Sequence, residues 1–310
     1  MDDRPTLAVA VGILCRNDGW LLFASRPADK PWPGYWEFPG GKIEAGESPR
    51  HALDRELEEE LGIRVTDATP WIVLQHDYPK TRVTLHCFRV TGWQGDPHPR
   101  EGQQLSWQNP AAVTQTPLLP ANHRLLRAWQ LPEVLGITHA QGAPQTFLPQ
   151  LERALAGGLK FVLIREKSLD DPAGFAAAVI QAAHRHGALA SVHGDAGLAL
   201  RSGADGVHLS AEQLMQCPAR PELPRVGASC HNAEELDRAE RLGCDYALLS
   251  PVLPTASHPG AQGMGWDGFA RLAAGRALPV YALGGMTAEL LQTARTHGAH
   301  GIALLRGAWL

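Results

Sequence analysis

The segment from Gly41 to Ile63, GKIEAGESPRHALDRELEEELGI, constrains the chain most, because it combines a glycine turn, a helix with both ends marked and a one-sided group of carboxylates. Ser48 followed by Pro49 is typical of a helix start, since a hydroxyl accepts from free backbone amides and proline's fixed φ suits the first turn. Gly62 is the expected helix end. The sequence therefore predicts one helix between these marks.

The predicted helix carries its acidic residues on one face. Glu56, Glu59 and Glu60 stand at relative positions 0, +3 and +4, while leucines form another face. Three like charges without a partner would repel each other. A hard divalent cation such as Mg²⁺ would relieve the repulsion and neutralise a bound polyphosphate. A solvated acidic face is the alternative interpretation of this ELEEE run.

The spacing around the helix decides between these interpretations. The segment fits Gly, five residues, Glu, seven residues, then Arg-Glu-hydrophobic-any-Glu-Glu-any-Gly-hydrophobic. This pattern resembles the complete box of the Nudix hydrolases, and it favours a metal-dependent enzyme that cleaves pyrophosphates. The matching positions are Gly41, Glu47, Arg55, Glu56, Leu57, Glu59, Glu60, Gly62 and Ile63.

Composition excludes several other classes of protein. With 310 residues and 44% hydrophobic content, the chain is long enough for two domains with cores of their own. A net charge of −4 without a basic run argues against nucleic-acid polymers and favours free nucleotides as partners. Five scattered cysteines indicate neither a zinc site nor a disulfide framework, so we expect a cytoplasmic location. We expect no membrane partner, since no apolar run approaches the roughly 20 residues that span a bilayer.

The first half of the chain has the pattern of an α+β domain. The apolar run TLAVAVGILC breaks at Asn17-Asp18-Gly19 and resumes as WLLFA, which predicts two strands around a turn. Strand-like segments TPWIVLQHDYP and RVTLHCFRVTGW follow the helix, and residues 121–129 return to a helical pattern. We predict a mixed sheet with flanking helices over residues 1–131.

The second half, residues 132–310, alternates short apolar strands with amphipathic helices. This alternation predicts parallel βα units. Eight strands in order predict an α/β domain with a closed (β/α)₈ TIM barrel, whose active site would lie in the loops after the strands. An open doubly wound sheet is the alternative. The strand candidates are VLGIT, FVLIRE, LASVHG, GVHLS, RVGASC, YALLSP, PVYALGG and GIALLRG.

The first half is similar to the MutT-like members of the Nudix family, which remove 8-oxo-dGTP. The similar stretches are SRPADKPWPGYWEFPGGKIEAGE, REGQ at residues 100–103 and LLPANHRLL at residues 118–126. The resemblance implies Mg²⁺ as cofactor, with Mn²⁺ as an alternative, and a nucleoside triphosphate as the small-molecule partner. It implies that the Gly40 carbonyl, Glu56, Glu59 and Glu60 hold the metal, with Glu101 as a further ligand or a base. It also implies that Asn122 reads the purine edge, Phe38 lines the base pocket and Arg26 lies close to the nucleotide.

The resemblance also implies the reaction. In the resembled enzymes water attacks the β-phosphorus, so the products are a nucleoside monophosphate and pyrophosphate. A metal can lower the pKa of a coordinated water, and a carboxylate can remove its proton. Glu56 and Glu101 are both candidates for that base. We expect Arg55 to orient a carboxylate of the box, because its guanidinium fork suits a bidentate pair.

Each residue implied to bind the base has a structural alternative. Asn122 follows Pro120-Ala121 and could instead cap a helix. We favour base reading, in which the amide donates and accepts together. Phe38 is expected in the core as well as the pocket, and Arg26 could be a surface charge. Trp32 and Trp36 could stack on a base, but packing is the default expectation for both.

The second half resembles the thiamine phosphate synthase and TenI superfamily. The motifs are LIREK at residues 163–167, GADGVHLS at 203–210, GASCHNAEE from 227, SPVLPTASH from 250 and ALGGM from 282. The resemblance implies a phosphorylated, thiazole-like ligand. Paired glycines could hold a phosphate through backbone amides, although such a pair is also typical of a plain tight turn. The implied site residues are His231, Arg165, Lys167, Thr255, Gly284 and Gly285.

The second half also departs from this superfamily. The synthases carry Asn-Asp after the third strand and Asp after the fourth for magnesium pyrophosphate, whereas His193, Gly194 and Gln213 stand here. Asp195 lies one place along, so we do not expect synthase activity. His231 falls on the TenI histidine that tautomerises a thiazole carboxylate phosphate, and a histidine can carry a proton without metal. Alternatively, it caps the next helix or faces solvent.

The leading hypothesis for the whole chain is a Mg²⁺-dependent nucleoside triphosphate pyrophosphohydrolase that removes 8-oxo-dGTP from the nucleotide pool and so avoids mutation of DNA. The TenI-like barrel would be an accessory domain. Two alternatives stay open. In one, the first half cleaves a thiamine-related pyrophosphate and the barrel binds or tautomerises a thiazole phosphate. In the other, the barrel is a non-catalytic regulatory module that binds a phosphorylated metabolite.

Overall fold

A computed structural model describes residues 4–140, 144–166, 169–254 and 262–309. The chain divides into two compact units, Met1–Gln130 and Leu131–Leu310. Each unit has a sheet system and a hydrophobic core of its own. Lys167 and Thr255, which the sequence assigned to a site, lie outside the described residues.

The first unit contains two sheets and two helices, and it confirms the predicted α+β class. A four-stranded sheet has the order β4-β1-β6-β5, with β1 parallel to β6 and antiparallel to β4. A three-stranded antiparallel sheet has the order β3-β2-β7. The elements are β1 Thr6–Leu14, β2 Leu21–Ser25, β3 Trp36–Glu37, β4 Gly40–Lys42, α1 Pro49–Leu61, β5 Arg64–Asp77, β6 Arg82–Gln94, β7 Leu105–Gln108 and α2 Pro120–Trp129.

The two strands predicted around the Asp-Gly turn are present, but they belong to different sheets. Only an isolated bridge between Cys15 and Leu21 joins them beyond the turn. β1 pairs with β4 over residues 9–11 on one side and with β6 along its whole length on the other. β2 instead pairs with β3 and β7.

Helix α1 begins and ends at the residues that the sequence indicated. The Ser48 hydroxyl accepts from the His51 N–H at 3.2 Å, and Gly62 ends the helix with a left-handed φ of 68°. Leu53 and Leu57 are fully buried and lie over Gly12 of β1, where a Cβ would come within 3.0 Å of Leu57. Burial of this leucine face fixes the rotation of the helix and so the direction of its carboxylates.

The second unit is a closed barrel of eight parallel strands, as predicted, and the open doubly wound alternative is wrong. Its strands follow chain order, and β15 pairs with β8 to close the ring. The strands are β8 Val134–Ile137, β9 Phe161–Ile164, β10 Leu189–His193, β11 Gly206–Leu209, β12 Arg225–Cys230, β13 Tyr246–Leu249, β14 Val280–Leu283 and β15 Gly301–Leu304. The helices are α3 Pro144–Ala156, α4 Pro172–Arg185, α5 Ala196–Ser202, α6 Ala211–Gln216, α7 Ala233–Leu242, α8 Gly265–Ala273, a 3₁₀ turn Ala288–Leu290 and α9 Leu291–Thr296.

Aromatic and polar side chains share the buried core of the barrel strands. The ring of Tyr246 lies 5.4 Å from that of Phe161 and 5.7 Å from that of Tyr281. Gly227 makes room for Tyr246, because a Cβ there would overlap its ring. His208 is fully buried, with Nε2 at 2.9 Å from the Ser229 hydroxyl and Nδ1 at 3.2 Å from the Tyr246 hydroxyl. This part of the core therefore depends on hydrogen bonds as well as apolar packing.

Among the described residues, no helix is both long and apolar enough to cross a membrane.

Candidate functional site

The carboxylate face of α1 lies over the glycines of β4. A Cβ at Gly41 would overlap the Glu56 carboxylate, so glycine is what allows this approach. Glu60 accepts from the Gly40 N–H at 3.3 Å, and its side chain is only 13% exposed. Glu59 is 56% exposed. The helix therefore presents two enclosed carboxylates and one open to solvent.

Arg55 connects the carboxylates of the Nudix-like box. Its guanidinium donates two hydrogen bonds to Glu47, at 3.1 and 3.0 Å, and one each to Glu56 at 2.8 Å and Glu59 at 3.2 Å. Hydrogen bonds to Glu47 and Glu56 raise the pKa of Arg55, and the same contact lowers the pKa of Glu47. The contacts agree with the expectation that Arg55 orients a carboxylate of the box.

Lys30 is a functional candidate that the sequence did not single out. Its Nζ lies 2.6 Å from a Glu101 oxygen and 3.7 Å from a Glu60 oxygen. Burial raises the pKa of Glu60 to about 7, against the opposing effect of the Lys30 charge. Lys30 therefore bridges a helix carboxylate and the more distant Glu101. No spacing rule could have found it, since the lysine and Glu101 are 71 residues apart.

The residues at this site fit a hard divalent cation. Glu56, Glu60 and the Gly40 backbone offer oxygen donors in one place, which is the chemistry that Mg²⁺ prefers. The pKa of Glu60 is raised because its buried charge is poorly compensated, and a cation would supply that compensation. Within the described residues, however, no group of three or more His, Cys, Asp or Glu side chains is already gathered around an ion position. Glu47, Glu56 and Glu59 contact Arg55, whereas Glu60 and Glu101 contact Lys30.

One cavity of about 920 Å³ joins this acidic site to the residues expected to bind a base. Its volume lies within the range of about 300 to 1,000 Å³ that is usual for small-molecule sites. Glu101 and Lys30 line a small adjoining hollow together with Glu60. The larger cavity is lined, among others, by Glu56, Glu60, Gly40, Gly41, Arg26, Trp32, Phe38 and Asn122.

Asn122 lies at the start of α2 and does not cap it, so the capping alternative is wrong. The helix N-cap is Leu119, whereas the buried Asn122 Oδ1 accepts from the Phe38 N–H at 2.9 Å. This contact uses one lone pair of Oδ1 and leaves the other, while the Nδ2 group can donate to a ligand in the cavity. The expectation that the amide donates and accepts together stays a prediction.

Arg26 is engaged and is not a free surface charge. Its Nη1 donates to both Glu37 oxygens, at 2.6 and 2.7 Å, and its Nε donates to the Pro31 carbonyl at 2.5 Å. Burial raises the pKa of Glu37, and the Arg26 charge opposes that shift. Phe38 is both core and cavity wall, with its ring 4.5 Å from that of Phe23. The pair of Arg26 and Glu37 thus forms a charged wall beside the base site.

In the barrel, His231 directly follows β12 and is exposed. Its Nδ1 lies 2.8 Å from the Ser250 carbonyl oxygen, which can only accept, so Nδ1 carries the proton. Nε2 then holds the lone pair that a base needs. The N-cap of α7 is Asn232, whose side chain accepts from the Glu235 N–H, so the proposal that His231 caps this helix is wrong. The solvent-facing alternative agrees with its exposure, and its catalytic role stays a prediction.

The remaining described candidates also follow barrel strands. The Arg165 N–H donates to the Thr138 hydroxyl at 2.9 Å just after β9. Gly284 and Gly285 follow β14 with φ angles of 99° and 68°, and a Cβ at either would crowd the loop after β13. The glycine pair is therefore required for a tight turn, whatever else it binds.

The side chains that stand where the synthases carry metal carboxylates serve local structure. Gln213 closes a capping box with Ser210 and donates to the Gly194 carbonyl at 2.7 Å. Asp195 caps α5 by accepting from the Leu198 N–H at 2.7 Å. Both side chains therefore contribute to helix caps.

The fold and the sites define a two-domain protein, with a carboxylate-helix α+β unit followed by a (β/α)₈ barrel. The family model of the NUDIX domain matches residues 6–130, and that of thiamine monophosphate synthase matches residues 134–308. The chain therefore belongs to the Nudix family through its first unit and to the thiamine monophosphate synthase family through its second.

Some individual relatives match about a third of the chain, and another matches most of it. An 8-oxo-dGTP diphosphatase of Proteus vulgaris is 41% identical over 102 residues, which are 33% of this chain and 91% of the relative. A CTP pyrophosphohydrolase of Escherichia coli is 40% identical over 119 residues, 38% of this chain and 88% of the relative. A thiamine-phosphate synthase of Thermosynechococcus vestitus is 30% identical over 279 residues, 83% of this chain and 78% of the relative.

The buried His208 predicts an acid-sensitive barrel. Burial, with His193 and Arg165 nearby, lowers the pKa of His208 well below the usual value. The folded protein therefore keeps His208 neutral at pH values at which the same histidine of the unfolded chain takes up a proton. The stability from this difference is present above about pH 6.5 and is lost as the pH falls. Between pH 7.5 and pH 5.5, we expect the wild type to lose about 1.4 kcal/mol more unfolding free energy than His208→Gln. Urea unfolding followed by far-UV circular dichroism measures this, and an equal pH dependence in both proteins would contradict it.

Proposed function

We propose that the Nudix unit is a metal-dependent nucleoside triphosphate pyrophosphohydrolase that converts 8-oxo-dGTP to 8-oxo-dGMP and pyrophosphate. The observation that carries this proposal is the single cavity in which Glu56 and Glu60 face the same space as Phe38 and Asn122. Polyphosphate and base chemistry are thus joined in one space large enough for a nucleotide. Relatives named 8-oxo-dGTP diphosphatase support the substrate.

Nudix hydrolases as a family use divalent metal ions. Glu56, Glu59, Glu60 and the Gly40 carbonyl would hold the ion, and Mg²⁺ suits these oxygen donors. When bound, the ion supplies charge neutralisation on the phosphates and a lower pKa for an attacking water. Arg55 would keep Glu56 and Glu59 oriented, because its fork already contacts both.

The hydrolytic step needs a proton acceptor from the chain. A water oxygen bonds to the β-phosphorus, and the bond from that phosphorus to the α-phosphate oxygen breaks, with its electron pair leaving on the nucleoside monophosphate. Glu56 or Glu101 would take the proton of the water. Glu56 is paired with Arg55, and Glu101 is paired with Lys30.

Base recognition would come from a donor and an aromatic wall. Asn122 Nδ2 is the free donor, and the O6 of a guanine ring is an acceptor. Phe38 lines the cavity beside it. Because one relative is named CTP pyrophosphohydrolase, CTP is the comparison substrate for testing a preference for guanine.

We further propose that the barrel lacks thiamine phosphate synthase activity and binds a phosphorylated, thiazole-like ligand without metal. Gln213 and Asp195 support the first part, since both are engaged in helix caps. The His231 tautomer supports the second, since Nε2 is left as a proton acceptor at the strand ends.

An assay for thiamine phosphate tests the barrel proposal. With the pyrimidine and thiazole substrates of a synthase and Mg²⁺, the full chain is expected to form no thiamine phosphate above the blank, because the metal carboxylates are replaced. A true synthase run in parallel shows that the assay detects product. Formation of thiamine phosphate by the wild-type chain would contradict the proposal, whether or not the His231→Gln variant also forms it.

Removal of one helix carboxylate tests the metal site. We expect Glu59→Gln to reduce pyrophosphate release from 8-oxo-dGTP by at least about a hundredfold, because it removes a charged oxygen ligand while leaving the exposed helix surface intact. Glu58→Gln is the matched control, since Glu58 is exposed on the same helix but lies outside the carboxylate face. Full turnover by Glu59→Gln, or an equal loss in the control, would show that the metal assignment is wrong.

A substitution that keeps a side-chain oxygen at residue 122 and removes the NH₂ group tests base recognition. Asn122→Asp retains an oxygen for the Phe38 N–H but loses the NH₂ donor. We expect kcat/KM for 8-oxo-dGTP to fall by roughly tenfold or more relative to CTP, since a donor-acceptor mismatch is worth about 1 to 3 kcal/mol. Asn122→Ala would also leave the buried Phe38 N–H unsatisfied and lower stability. An unchanged ratio of the two kcat/KM values in Asn122→Asp would remove Asn122 from the base site.

A further inference from the structure

The loop between β2 and β3 holds one tryptophan in an uncommon backbone conformation. Trp32 has a φ of +60°, and it is the single non-glycine residue with a positive φ in the part of the chain that the structure describes. For a bulky side chain this conformation is costly. Such costs are concentrated at positions where a site requires a particular conformation, so the outlier points to a role for the ring.

Hydrogen bonds hold this loop in place around Arg26. The Arg26 backbone N–H donates to the Tyr35 carbonyl at 2.8 Å, and the Arg26 carbonyl accepts from the Gly34 N–H at 2.9 Å. The Arg26 guanidinium donates to the Pro31 carbonyl. The Trp32 carbonyl accepts from the Tyr35 N–H at 3.2 Å. The surrounding contacts therefore impose the conformation of Trp32 rather than leaving it to the residue itself.

The Trp32 ring is exposed where it borders the cavity. It remains 37% exposed and lines the same space as Phe38 and Asn122. Its ring centroid lies 5.2 Å from that of Tyr35 and 5.9 Å from that of Tyr78, which also lines the cavity. The indole therefore lines the cavity with part of its flat aromatic surface exposed. Such a surface is a stacking platform for a nucleobase.

The other tryptophans considered do not combine these properties. Trp36 is buried, which satisfies the default expectation of packing. Trp20 is 40% exposed, but it packs against the Arg16 guanidinium at 5.8 Å and does not line the cavity. Trp20 and Trp32 are therefore both exposed, but of these two residues it is Trp32 that lines the cavity.

We propose that Trp32 stacks on the base of the bound nucleotide and, together with the Asn122 donor, determines which bases the cavity accepts. The inference rests on the proposed nucleotide substrate and names the residue that would favour a purine, because a bicyclic base overlaps an indole more than a pyrimidine does. Trp32 contributes to binding of the base and has no contact with the phosphates.

Calorimetric titration of the full chain with Mg²⁺ and a dGTP analogue that has a methylene group between the α- and β-phosphorus tests this role. We expect Trp32→Ala to raise the Kd by about tenfold, since loss of one stacking contact costs about 1 to 3 kcal/mol and 1.4 kcal/mol is tenfold. Trp32→Phe keeps a ring and is expected to bind within about threefold of wild type. Trp20→Ala, of similar exposure, is expected to bind as the wild type does.

Two further measurements separate the ring from the backbone and the base from the phosphates. Glycine adopts a positive φ without strain, so Trp32→Gly is expected to lose as much affinity as Trp32→Ala. Inorganic triphosphate has no base, and its affinity is expected to be unchanged in both variants. Recovery of affinity in Trp32→Gly, or an equal loss for inorganic triphosphate, would overturn the stacking role. So would a Trp32→Ala variant that binds the analogue like the wild type.

Failure of this inference can be told apart from failure of the proposed function. A wild-type chain that binds neither the dGTP analogue nor the matching CTP analogue removes the proposed function, and the inference with it. A wild type that binds the dGTP analogue while Trp32→Ala binds it equally well removes the inference alone.

Discussion

Burial of the leucine face of α1 against β1 is the interaction on which the Nudix site depends. Leu53 and Leu57 pack over Gly12 without exposure to solvent, so the helix cannot rotate without exposing apolar surface. Because α1 has 3.6 residues per turn, fixing this face also fixes the directions of the residues beside it. The Glu56 carboxylate consequently lies over Gly41, at a distance that a Cβ at this position would not allow. Packing in the core thus positions the acidic residues of the helix.

Cations organise the acidic residues before any ligand arrives. Arg55 contacts Glu47, Glu56 and Glu59, Lys30 contacts Glu60 and Glu101, and Arg26 contacts Glu37. The charge of Lys30 offsets part of the desolvation that burial imposes on Glu60.

The barrel retains the architecture of its family, while polar residues after its strands differ from those of the synthases. The eight strands close in chain order, as the family fold requires. Gln213 and Asp195, however, contribute to helix caps. The fold alone therefore does not establish an activity for the barrel.

The sequence by itself determined the limits of α1, the shared face of its three glutamates and the eight barrel strands, because capping and periodicity depend on residues close together in the chain. The tertiary structure decided what distant residues do. Lys30 meets Glu101 across 71 positions, and Asn122 accepts from the Phe38 N–H across 84. Likewise β2 pairs with β3 and β7 in a second sheet, whereas β1 pairs with β4 and β6. Such pairings join residues that are far apart in the sequence, so no local sequence pattern indicates them.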